Sequence, residues 1–244
     1  MSALDDFGRF ARHRVARGAP YGLGLTLAFA ITVLTLAAFV GIVDAVTDGD
    51  DLARLDAGAH TAVYTAVGPE HEALALGVTF WGNNATMTTI VVLVAALMLF
   101  LRRWTDALRI VAASGLGGLV SLGLKGLFAR ARPVDQIIAA TGYSLPSGHA
   151  FGSTVLYGML IYLVWRTTPN PALRALAVVL GVVVIAVVGL SRVYLNVHFL
   201  TDVVAGWAAG TAWLVSVLIV VYLMETRWAT RRQARDERAR SVPA

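Results

Sequence analysis

Three short polar stretches interrupt an otherwise apolar chain, and their side chains are of the kind that bind and transform a tetrahedral oxyanion. The last runs from Ser191 and Arg192 through His198 to Asp202, with His198 and Asp202 four residues apart. If the chain is helical from His198 onward, these two share a face. A carboxylate so placed holds one imidazole nitrogen and leaves the other as an oriented, basic nucleophile. Arg192 adds a guanidinium fork that matches a tetrahedral oxyanion. In the first stretch, Lys125 and Arg132 are seven apart, about two helical turns. Pro133 is expected to end the helix that carries Lys125 and so to fix where Arg132 points. Between the two lies Pro146-Ser147-Gly148-His149, a turn and a second histidine just before an apolar run. Each residue also has an ordinary reading: Lys125 as a snorkelling cation, Ser147 as an N-cap, His149 as an interfacial ring, Asp202 as a first-turn acid.

In order, the stretches read Lys-x6-Arg-Pro, Pro-Ser-Gly-His and Ser-Arg-x5-His-x3-Asp. This resembles the three signature motifs of the type 2 phosphatidic acid phosphatase superfamily, and in particular its bacterial membrane lipid phosphatases. The resemblance implies that His198 attacks phosphorus, that Asp202 orients it, and that His149 protonates the leaving group. His149 then serves as the base that activates water against a phosphohistidine. Lys125, Arg132 and Arg192 would supply positive charge for the phosphate. Ser147 and the N–H groups of Gly148 and His149 would add donors at a helix start, where the dipole favours an anion. No metal or other cofactor is implied. Arg130 lies outside the family pattern and is expected to be a headgroup or surface contact, and His13, His60 and His71 are assigned no role.

What must position these residues is a membrane core. The chain has 244 residues, of which 57% are hydrophobic and 14% charged, more apolar than a soluble domain. Several runs suffice to cross a bilayer, which takes roughly 20 residues each. The expected fold is all-α and polytopic, with six transmembrane helices near residues 21–43, 81–101, 107–124, 149–165, 173–190 and 202–224. Trp81-Gly82-Asn83-Asn84 interrupts the long apolar stretch from Leu74 to Leu101 and is expected to mark where the second span starts. Gly115, Gly117, Gly118 and Gly123 are expected to allow close helix contact. The domain reading is a basic N-terminal segment (1–19), a membrane phosphatase domain (20–224) and a basic tail (225–244). After the first span, Leu52, Leu55, Ala59, Ala62, Val63 and Ala66 form the apolar stripe expected of a short helix on the membrane surface. The Asp48-Gly49-Asp50-Asp51 cluster is a weak candidate for a cation. With no cysteine in the chain, disulfide and thiolate chemistry are excluded.

Charge sets the expected orientation. Of the 20 Lys and Arg residues, six spans place all but Arg54, Lys125, Arg130, Arg132 and Arg192 on the side of the termini. That side should be cytoplasmic. The motifs then face the periplasm or cell exterior, at the non-cytoplasmic interface of an integral membrane protein of the bacterial plasma membrane. Basic residues gathered beside apolar runs argue for membrane lipids as partners rather than nucleic acid, and no obligate protein partner is visible. The expected substrate is a lipid phosphate or diphosphate. Polyprenyl diphosphate is the first choice, with phosphatidic acid or phosphatidylglycerol phosphate as alternatives. A phospholipid transporter or flippase would keep the cations without needing His198, His149 and Asp202 together. The vanadate-dependent haloperoxidases share the motifs but are soluble.

Overall fold

A computed structural model describes residues 22–48 and 50–241, with side chains described except at 48, 50, 51, 53, 230 and 233–241. The basic segment 1–19, His13, the Asp48–Asp51 side chains and the end of the tail therefore lie outside the described residues. The described chain is helical: α1 (Leu23–Asp48), α2 (Asp50–Val67), α3 (Glu72–Thr79), α4 (Asn84–Phe100), α5 (Trp104–Phe128), α6 (Gly148–Thr167), α7 (Pro171–Tyr194) and α8 (Leu200–Ser241). One compact unit is Leu34–Leu214, which holds every motif residue. Residues 22–33 and 215–241, the start of α1 and the end of α8, fall in the other unit.

Among the described residues, four helices are long and apolar enough to cross a bilayer: α1, α5, α7 and α8 as far as Ala229. A fifth span arises if the pair Pro69–Gly82 and Asn84–Phe100, bent by 45°, is counted as one. The bend falls at the Trp81–Asn84 interruption, where Asn83 leaves helical geometry and its side chain caps α4 through the N–H of Ala85 at 3.2 Å. The helix expected as the fourth span, α6, has 20 residues, about 30 Å of helix, yet falls outside this apolar set. Its physical setting explains the difference. It packs against α4, α5 and α7, and Ala150, Ser153, Thr154, Leu156 and Met159 are all buried, so it need not offer lipid an apolar surface.

The exposure pattern is that of a membrane protein. Leu34, Leu93, Leu119, Leu122 and Val182 point outward while Ser144, Ser147, Ser153 and Asp202 are buried. Lipid satisfies the former and internal hydrogen bonds the latter. Close packing beside the motifs depends on two glycines a turn apart on α8. A Cβ at Gly206 would stand 2.7 Å from the Ser147 carbonyl oxygen, and one at Gly210 would stand 2.9 Å from that of Phe151. The two lie in a small-xxx-small spacing that lets backbones approach. Of the four glycines expected to serve this purpose on α5, Gly117 alone meets a neighbour: a Cβ there would stand 2.8 Å from Trp213 Nε1.

The connector between α5 and α6 carries two motifs and does not begin where the proline implied. The helix ends at Phe128, five residues before Pro133, and Ala129 adopts a left-handed cap with φ 46°. Arg132 thus lies on irregular chain, and its spacing from Lys125 is not two helical turns. Ser144 ties the connector to itself, its N–H donating to Arg130 O at 2.8 Å and its Oγ to Ala131 O at 2.9 Å.

Candidate active site

The third motif is built by a reversal of the chain after α7. Asn196 sits at φ 51°, a left-handed position that asparagine tolerates. The N–H groups of Val197 and His198 then turn back onto the Arg192 carbonyl at 3.2 and 3.3 Å. The five residues between Arg192 and His198 are what this closure consumes. Two further bonds brace the turn from the connector, Ile137 N–H to Leu195 O at 3.1 Å and Asn196 Nδ2 to Asp135 O at 2.8 Å.

His198 does not belong to a helix; α8 starts two residues later. Asp202 is in its first turn, and Oδ2 accepts the N–H of Phe199 at 3.0 Å. The same oxygen faces His198 Nδ1 at 3.5 Å, an ion-pair distance beyond hydrogen-bonding range, and that buried nitrogen has no hydrogen-bond partner among the described residues. Asp202 is therefore a helix-start acid and the neighbour of His198 at once. On the other side of the ring, Nε2 stands 3.2 Å from Arg132 Nη1. Arg132 is held in place by Gly142 O at 3.0 Å and Val197 O at 2.6 Å.

Burial holds the His198 imidazole down to about 4, with Asp202 opposing that shift and Arg132 and Lys125 adding to it. The ring is therefore neutral at pH 7, and with Nδ1 toward Asp202 its Nε2 lone pair faces the Arg132 donor. Burial also lowers Arg132, against the pull of Asp202; a guanidinium starting so high stays charged at neutral pH.

The second motif meets the third through its backbone: the Ser147 N–H donates to Asp202 O at 2.9 Å. Ser147 Oγ caps α6 by accepting from Ala150 N–H at 3.5 Å. Lys125 lies over this helix start, since a Cβ on Gly148 would be 3.6 Å from Lys125 Cε. Its Nζ donates to Tyr143 O at 2.7 Å. The His149 ring packs against Gly82, where a Cβ would stand 3.0 Å from its Cδ2. Arg192 enters from the end of α7, where Nη1 donates to Thr79 Oγ1 at 2.7 Å. Its buried Nε has no acceptor among the described residues. Neither Arg192 nor His149 bonds to the other motif side chains.

Sequence reasoning missed two partners of this cluster. Arg130 is no headgroup contact: its half-buried guanidinium pairs with Asp202 Oδ1 at 2.6 Å and Asp56 Oδ2 at 2.9 Å. Asp56 belongs to α2, whose packed face keeps only part of the expected stripe, with Val63 against the buried clusters of Val193 and Tyr194. Leu55 is exposed, whereas Asp56 is buried and His60 Nδ1 bonds Val193 O at 2.9 Å. The helix is turned by these polar contacts to the third motif, which a stripe of small apolar residues could not announce. A recess of about 340 Å³ opens here, lined by Asp56, His60, Arg132, Asp135, Asn196 and His198 among others.

Comparison with known proteins matches residues 85–228 to the PAP2 superfamily, which is more than half of the chain and includes all three motifs. The chain belongs to the PAP2 superfamily. Phosphatidylglycerophosphatase B of Bacillus subtilis (strain 168) is 31% identical over 137 residues, covering 55% of this chain and 67% of that protein. The crystal structure of a transmembrane PAP2 type phosphatidylglycerolphosphate phosphatase from Bacillus subtilis superposes with a TM-score of 0.72 at 26% identity. That match spans 76% of this chain and 93% of the other. Aquifex aeolicus LpxE shares the fold, with a TM-score of 0.53 at 18% identity, over 67% of this chain and 94% of its own. As a PAP2 phosphatase the protein is a hydrolase of lipid phosphate esters and an integral membrane protein.

Proposed function

We propose that this PAP2 protein removes the terminal phosphate of phosphatidylglycerol phosphate through a phosphohistidine at His198. The observation that carries the mechanism is the setting of His198: a neutral ring with Nδ1 toward Asp202 at 3.5 Å and Nε2 beside Arg132 at 3.2 Å. A phosphate bound against Arg132, Lys125 and Arg192 would present phosphorus to Nε2. The Nε2–P bond forms as the P–O bond to the lipid breaks, and His149 gives its proton to the departing oxygen. Water, deprotonated by His149, then attacks the phosphohistidine and restores His198. The Ser147 hydroxyl and the N–H groups of Gly148 and His149 complete the cradle, which acts most strongly on charge that develops in the transition state.

The substrate follows from the relative, whose name is phosphatidylglycerophosphatase B. Nothing comparable supports polyprenyl diphosphate, which the sequence placed first, so the order is reversed. Purified protein in detergent should turn over phosphatidylglycerol phosphate with a kcat/KM at least about tenfold above that for phosphatidic acid or a polyprenyl diphosphate, about 1.4 kcal/mol of discrimination. A preference for the diphosphate would overturn the assignment.

The proposed architecture is six spans, the five apolar ones and α6, within a domain of residues 20–224, with basic segments 1–19 and 225–244 on the cytoplasmic side. Supporting this is the charge asymmetry, in which most of the 20 basic residues fall on one side. The chain has no cysteine, so introduced thiols report cleanly. In intact cells, Ala139→Cys in the connector should react with an impermeant thiol reagent, and Ala229→Cys only after the membrane is opened. The opposite pattern would invert the topology and put the site on the inner leaflet.

A further inference from the structure

The second oxygen of Asp202 is committed elsewhere. While Oδ2 faces His198, Oδ1 accepts Arg130 Nη1 at 2.6 Å. Arg130 Nη1 also reaches Thr201 Oγ1 at 2.8 Å, and Nη2 reaches Asp56 Oδ2 at 2.9 Å. Asp56 closes the ring by accepting the Thr201 N–H at 2.9 Å and its hydroxyl at 2.7 Å. The guanidinium lies 4.2 Å from the centre of the Phe199 ring, which stacks it in one orientation. Asp56 is 2% exposed and Asp202 0%, so both carboxylates are closed off from bulk solvent.

We propose that Arg130 and Asp56 are positioning residues that set the orientation and charge of Asp202 toward His198. The inference rests on the reading of His198 as the attacking group. Two carboxylates and one guanidinium leave one net negative charge beside a neutral imidazole. As Nε2 bonds phosphorus, the ring becomes cationic, and that surplus negative charge balances it. Without Arg130, the two buried carboxylates would lose the guanidinium that bridges them, a situation that drives one of them toward taking up a proton. A protonated Asp202 can no longer stabilise the ring. The Arg130 side chain bonds Asp56, Thr201 and Asp202 but none of the cradle residues, so its removal should act on turnover and not on phosphate affinity. Asp56 lies before the matched family segment, which starts at residue 85. The helix α2 is thereby drawn into the catalytic unit.

The rival role is a structural staple between α2 and the third motif, and a double-mutant cycle separates the two. Arg130→Gln should lower kcat by about 30- to 100-fold while KM and the inhibition constant of vanadate stay within about threefold. In an Asp202→Asn background the same change should cost less than about threefold more, because the carboxylate it tunes is gone. Arg130→Lys, which keeps the charge but not the fork, should recover part of the loss. An equal cost in both backgrounds would make Arg130 a staple, and a larger loss in vanadate affinity than in kcat would make it an anion ligand; either overturns the proposal. Should Arg130→Gln not fold, Arg130→Lys and Asp56→Asn carry the test, and wild-type kcat in both would refute it. Full activity in Asp202→Asn alone would instead locate the failure in the reading of His198 and Asp202, and the proposal would fall with it.

Discussion

His198→Ala is expected to reduce phosphate release from phosphatidylglycerol phosphate to background, a loss of about 10⁴-fold or more, as for removal of other covalent nucleophiles. The ring is 3% exposed, and His198→Gln is the companion that keeps most of its volume. Both should elute as the wild type does and bind vanadate, since Lys125 and Arg192 do not depend on the imidazole. Retention of a tenth of wild-type turnover in both would remove His198 from the mechanism. The pH profile gives a second check. With its pKa lowered to about 4, the ring stays unprotonated as pH falls past 6.5, so any acid limb due to His198 belongs near pH 4. The same shift acts on stability: it is fully present above the unfolded value near 6.5 and declines as pH falls toward 4, because only the unfolded ring takes up the proton.

Arg192 should carry the second largest effect. Arg192→Gln is expected to lower kcat/KM by about 10²- to 10³-fold and to weaken vanadate binding, because a buried cation aimed at developing negative charge is lost. Arg192→Lys should remain impaired, since a point charge replaces a planar fork. The competing account makes Arg192 only a staple from α7 to Thr79, to which it donates at 2.7 Å. Thr79→Val removes that bond and keeps the guanidinium. A modest effect, within about tenfold, is expected; a loss equal to that of Arg192→Gln would favour the staple.

The division between what the sequence showed and what it hid follows the reach of the interactions. His198 and Asp202, or Ser147 through His149, are neighbours along the chain, and local spacing suffices to place them. The family resemblance rested on these short-range patterns. Arg130 and Asp56 are 74 residues apart, and Arg192 and Thr79 are 113 apart. No periodicity in either segment announces the other. Asp56 was hidden further by its surroundings, an acidic stretch that reads as a solvated surface. Helix ends were legible where side chains cap them, as at Asn83 and Ser147, and misjudged at Ala129, whose left-handed φ of 46° has no residue-type signal. Apolar spans were legible for α1, α5, α7 and α8. The apolar run at 149–165 was read as the fourth span, but α6 is an enclosed helix whose composition reports the protein interior as much as lipid, and it falls outside the apolar set.

The most direct measurement is to trap the phosphoenzyme. Protein given a phosphate ester with a good leaving group, such as p-nitrophenyl phosphate, needs no acid for the first step. His149→Gln would then slow hydrolysis of the intermediate and let it accumulate. After a rapid alkaline quench, mass spectrometry of the peptide spanning residues 193–227 should show one phosphate on His198, stable in base and lost in acid, and none in His198→Gln. Turnover with His198 unmodified at every quench time, or an acid-stable phosphate on Ser147, would contradict a phosphohistidine at His198.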